Sequence, residues 1–216
     1  MDTVPVELTD EFLEVLRRGV KVFYLRQLTL FKKMYERLGV KTKSAKNDVR
    51  ALMALERKWF REVDEDFLVM RRLVSDYRSL LKSHASLTNR MKASSGVGRD
   101  VLKDAVKSLE EQMNAMAKII ADEAGKRIPA YNKVIEMLEI GEDNHLPARE
   151  ALAELMTHID PRINFVKTAN YFGLFKGRPR IFNGKARKAL ERLTMAVNGR
   201  ITAKEQKNFF TQSGRR

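Results

Sequence analysis

Nine cations near one end of the chain have the types and spacing to do chemistry: Lys176, Arg178, Arg180, Lys185, Arg187, Lys188, Arg192, Arg200 and Lys204. Residues 161–216 hold 14 of the 42 Lys and Arg but only two acids, Glu191 and Glu205. That stretch carries +12 of a formal net charge of +14, while residues 1–95 come to +7 and residues 96–160 to −5. Excess positive charge gathered in one region points to a polyanion, most often nucleic acid. The contacts expected are to phosphates, which a Lys or Arg neutralises whatever the base.

The elements that would hold these cations are helices. The spacing predicts a helix over 184–197, with Ala186, Ala189, Leu190, Leu193 and Val197 on one face. Lys185, Lys188 and Arg192 fall opposite, and Arg187 lies to the side. Asn198-Gly199 stops the helix, and Thr202-Ala203-Lys204-Glu205 is a capping box that opens another. As a DNA-reading helix-turn-helix the pair departs from pattern. Met195 stands where a small residue belongs, and Glu205 where an apolar one belongs.

Lys176-Gly177-Arg178-Pro179-Arg180 resembles the AT-hook, whose core is Arg-Gly-Arg-Pro. The resemblance implies Arg178 and Arg180 in a narrow A·T minor groove. A lysine replaces the first arginine, and an ordinary Gly/Pro loop accounts for the same residues. The aromatics Phe165, Tyr171, Phe172, Phe175, Phe182, Phe209 and Phe210 are expected to form a small core. Tyr171 and Phe175 are the two most suited to stack on bases instead.

Two further constellations lie elsewhere. Arg78 and His84 have the Arg-x5-His spacing of HEPN ribonucleases, a resemblance that implies an arginine and histidine handling a scissile phosphate. With 22 arginines and three histidines in 216 residues, about one such match arises by chance. His84 falls in an apolar seam, where a buried, hydrogen-bonded histidine is expected. Glu150, Glu154 and His158 line up at i, i+4 and i+8, a spacing that can hold a metal in a helical bundle. No second carboxylate–histidine helix completes such a shell, so an exposed helix face is expected. There is no cysteine, phosphate-binding glycine loop, catalytic triad or nucleophile elbow. No metal, cofactor or enzyme activity is expected.

The remaining chain reads as scaffold. At 44% hydrophobic residues it can bury a core. It has no apolar run near 18 residues, and its acidic beginning lacks the apolar segment of a secretory signal. A cytoplasmic location is expected. Apolar periodicity predicts helices over 10–38, with Gly39 as its stop, and over 45–92, with a bend near Asp64–Asp66. The second carries two seams, Val49, Val63, Met70 and Tyr77 among the first and Leu52, Leu73, Leu80 and Leu87 among the second. Further helices are expected over 100–124, 129–140, 145–158 and 161–171, with little strand. Gly19 lies inside the first helix and would mark a close helix contact.

These observations describe an all-α protein: an elongated antiparallel helical bundle with long, coiled-coil-like helices over 1–159, and a small basic, aromatic-rich helical region over 160–216. The function expected is sequence-tolerant nucleic-acid binding, DNA ahead of RNA. A non-enzymatic scaffold or adaptor is the alternative reading, and an all-helical HEPN-like ribonuclease a further one. The broad apolar stripe can be covered within the chain or by a second copy of it.

Overall fold

Apolar recurrence at three and four residues builds helices over most of the described residues, 5–25, 28–142, 145–160, 163–174 and 182–198 of this computed structural model. The class is all-α, as the periodicity predicts. The described helices are α1 (Thr9–Arg17), α2 (Leu28–Arg37), α3 (Ala45–Met53), α4 (Glu65–Ala93), α5 (Val97–Arg127), α6 (Tyr131–Leu138), α7 (Leu146–His158), α8 (Phe165–Tyr171) and α9 (Gly184–Val197). One two-stranded antiparallel sheet joins β1 (Val22–Leu25) to β2 (Phe60–Val63). Two compact units divide between Arg72 and Leu73, within α4. The charge step at residue 160 is a different boundary, since it reflects composition and not packing.

In the N-terminal unit the sheet overturns two expected helices. The helix expected over 10–38 is α1, β1 and α2. Gly19 ends α1 with φ +79°, its N–H donating to Leu16 O while Val20 N–H donates to Val15 O. Those two bonds are the Schellman ending, which places the positive φ on a glycine. A Cβ at Gly19 would meet nothing within 4 Å, so no close helix contact explains it. Gly39 ends α2 in the same way, with φ +64° and Val40 N–H on Tyr35 O.

The long helix expected over 45–92 breaks between Met53 and Glu65, where a short 3-10 turn and β2 intervene. Val22 pairs with Val63 and Leu25 with Phe60, so β-branched and aromatic residues of distant segments satisfy each other. The anticipated bend at Asp64–Asp66 is a helix start: the Asp64 carboxylate accepts Phe67 N–H at 2.7 Å. Val22, Val63, Phe67 and Leu68 then form the core of this unit, with Phe12, Leu13, Val15 and Leu16 against it.

In the second unit α7 is central, packed on α5, α6 and α9. Ala148, Ala151, Leu152, Ala153 and Leu155 are all buried, and the facing helices offer Ala117, Ile120, Ala121 and Ala124 from α5 and Ala186 and Ala189 from α9. Small residues at these contacts let helix axes approach closely. Of the three long helices expected, two are present, α4 and α5.

Candidate nucleic-acid interface

Helices α8 and α9 are the described helices of the basic end, and local sequence fixes where α9 starts. The Asn183 side-chain oxygen accepts Lys185 N–H at 3.0 Å and Ala186 N–H at 3.1 Å. Its amide nitrogen donates to the Tyr171 hydroxyl at 2.6 Å, tying α9 to the end of α8. Tyr171 also meets Phe172 edge to face at 5.7 Å. It is therefore a half-buried brace and not the free stacking ring its sequence context allowed. Ala186, Ala189 and Leu193 are buried, as the apolar face predicts.

The four cations of α9 divide into two pairs. Lys185 and Lys188 are exposed. Arg187 is half-buried, its Nε donating to Glu191 at 2.9 Å. Arg192 departs from the expected solvent face: its two terminal nitrogens donate to Glu150 and Glu154 of α7. The cause is the length of the arginine stem, which wraps from the flank of α9 back onto its neighbour. Lys176, Arg178, Arg180, Arg200 and Lys204 lie outside the described residues, as do Phe175, Phe209, Phe210 and the turn at Gly199.

Glu150 and Glu154 correct a second expectation. They are 0% exposed, not a solvent face. Arg78 of α4 pairs with Glu154, and the Arg192 guanidinium lies 5.6 Å from the ring centroid of Tyr77. Two carboxylates and two guanidiniums thus meet at zero net charge. Burial pushes the Glu150 carboxyl above its ordinary range, against the pull of Arg192 and Arg78. Burial likewise lowers Arg78, helped by repulsion from Arg192, and raises Tyr77. Glu150 Oε1 has no hydrogen-bond partner among the described residues. Nearby, the Tyr131 hydroxyl donates to Arg149 O at 2.8 Å, and burial pushes its pKa up to about 12.

With guanidiniums on both carboxylates, Glu150 and Glu154 belong to an internal ion cluster. No group of three or more His, Cys, Asp or Glu is gathered to hold a metal among the described residues. Arg78 and His84 do not converge either. Arg78 turns to α7, whereas His84 Nε2 lies 3.1 Å from Glu110 Oε1 on α5.

The aromatics split. Phe172 is core at 4% exposure, but Phe165 is 82% exposed and Phe182 47%. Both therefore depart from the expectation that they are core. Among the described residues, no helix is long and apolar enough to cross a membrane. The ion cluster escaped sequence reading because its members come from three helices. The sole local signal was the pair of acids at i and i+4 inside an alanine-rich segment, where an exposed face has too few polar residues. No protein-family model, curated protein or solved structure matches the chain.

Proposed function

We propose that this protein binds nucleic acid, DNA ahead of RNA, by phosphate contacts from its basic C-terminal region. The observation that carries the reading is charge: +12 over residues 161–216, where two acids face 14 cations. Exposed Lys185 and Lys188 on a helix anchored through the Arg192 cluster supply a rigid part of that surface. Binding through this region is largely indifferent to sequence, because phosphate contacts carry no base information.

The test is mobility shift of the full chain with duplex DNA, single-stranded DNA and RNA at two salt concentrations. Replacing Lys185 and Lys188 together by Gln should flatten the salt slope by about 2, at roughly 0.9 per duplex phosphate contact. An unchanged slope removes α9 from the contact surface. A wild-type protein that binds none of the three probes at low salt refutes the reading. The scaffold alternative then stands, favoured by the exposure of Val97 and Val101 at the start of α5.

A further inference from the structure

The cations of the N-terminal unit are also gathered. Residues 28–58 hold nine Lys and Arg against Glu36, Asp48 and Glu56. They span α2, the connection 38–44, α3 and the 3-10 turn, and the β1–β2 pair closes this segment at both ends.

Helices α2 and α3 are held as a pair by polar and apolar contacts. Ala51 of α3 is 0% exposed. The Tyr35 hydroxyl of α2 donates to the Asp48 carboxylate of α3. Ser44 caps α3, its hydroxyl accepting Asn47 N–H at 3.3 Å, and the Asn47 side chain donates to Thr42 O at 3.0 Å. The connection and the start of α3 are therefore fixed before any partner arrives, which lowers the ordering cost of binding.

The outer face of α3 is unlike a plain solvated face. Lys46, Val49, Arg50 and Met53 fall within one stripe at spacings of three and four. Lys46 and Arg50 are exposed, and the apolar pair is more so, Val49 at 54% and Met53 at 83%. None of Lys41, Lys43, Lys46 and Arg50 pairs with a carboxylate among the described residues. Arg57 and Lys58 are already engaged, with the Phe23 ring at 5.0 Å and with Glu56 at 2.5 Å.

We propose that α3 is a groove-reading helix that enters the major groove of duplex DNA, with Lys41 and Lys43 on the flanking phosphates. With its side chains an α-helix is about 10–12 Å across, which fits a major groove about 12 Å wide. Arginine supplies the bidentate pairing to guanine O6 and N7, and Val49 and Met53 suit the thymine methyl. An acidic protein could match the four lysines and arginines. A duplex also matches the alternation of cation and apolar side chain along one narrow stripe, and on that ground it is the partner assigned here. This surface belongs to the N-terminal unit and rests on no residue of the C-terminal reading.

The experiment is selection of duplexes from a random-sequence pool by the full chain, followed by binding of the enriched duplex and of the pool. Wild type should enrich a sequence. Lys46→Ala/Arg50→Ala should bind it about 5- to 150-fold more weakly and lose the preference over the pool. Lys185→Gln/Lys188→Gln should keep the preference and lose only salt slope. Because the chain has no cysteine, Val49→Cys supplies a single thiol on this face. Saturating enriched duplex should slow its alkylation several-fold and leave Val101→Cys on α5 unaffected. The proposal is overturned if wild type enriches no sequence, if the α3 double variant keeps affinity and preference, or if Val49→Cys reacts equally fast on the duplex. If only the α3 variant changes binding, the C-terminal reading fails and this one stands.

Discussion

Arg192→Met tests the claim that a cation of the basic helix serves the interior. The substitution keeps most of the stem and removes the guanidinium that both Glu150 and Glu154 accept from. Glu154 retains Arg78, but Glu150 is left with Arg78 only as a more distant charge. Breaking a buried pair from one side costs about 3–5 kcal/mol. The Arg192 side chain is 31% exposed, which favours the lower end, about 3 kcal/mol. At about 2–4 °C per kcal/mol for a chain of this size, the midpoint should fall by roughly 6–12 °C at pH 7. The pH dependence is the sharper test. Glu150 is already held above its ordinary range by burial, and losing Arg192 raises it further. A carboxyl raised on folding favours the native state at low pH, and that contribution is lost as pH rises through its folded pKa. The damage should therefore be greatest at pH 7 and shrink toward pH 5, as the share of Glu150 that carries a proton and needs no counter-charge grows. Adding Glu150→Gln to Arg192→Met should recover part of the loss at pH 7. Urea unfolding at the two pH values measures all three variants. A loss below about 1 kcal/mol at pH 7, or an equal loss at both pH values, would refute a buried charged Glu150.

Two local stops give further checks. Gly19→Ala should cost about 1 kcal/mol in urea unfolding, because φ +79° is strained for any residue with a Cβ; an unchanged midpoint would mean α1 does not end there. Asn183→Ala should cost about 1 kcal/mol and speed amide exchange in the first turn of α9, while Asn183→Ser should retain most of the cap; equal exchange in both variants would remove the cap from the account.

Local signals in the sequence were reliable where the structure they encode is local. Gly39 as a stop and the Ala186–Ala189–Leu193 face both follow from residues within a few positions of one another. The β1–β2 pair was not legible. Val49, Val63, Met70 and Tyr77 keep a heptad count that runs straight through a strand, because a four-residue strand is too short to disturb it. What decides the strand is the partner at 22–25, far away in sequence. Gly19 was the available clue, since a glycine inside a short apolar pattern signals a stop as readily as a contact.

The same distinction bears on the basic surface. Helical periodicity assigns an azimuth to a Cα, not the place where a five-donor side chain ends. Lys185, Lys188 and Arg192 share one side of α9, yet the first two end in solvent and the third on buried carboxylates. Charge counted from sequence therefore overstates the phosphate contacts that α9 can make: of its four cations, Arg187 and Arg192 are already committed to carboxylates. A salt slope above about 2 attributable to this helix would need cations from elsewhere. In the proposed nucleic-acid binding Arg192 would act indirectly. By fixing α9 on α7 it holds Lys185 and Lys188 in place, so Arg192→Met should weaken nucleic-acid binding through lost order of the helix. The loss should therefore track the fall in stability with pH, whereas a loss of direct contact would not.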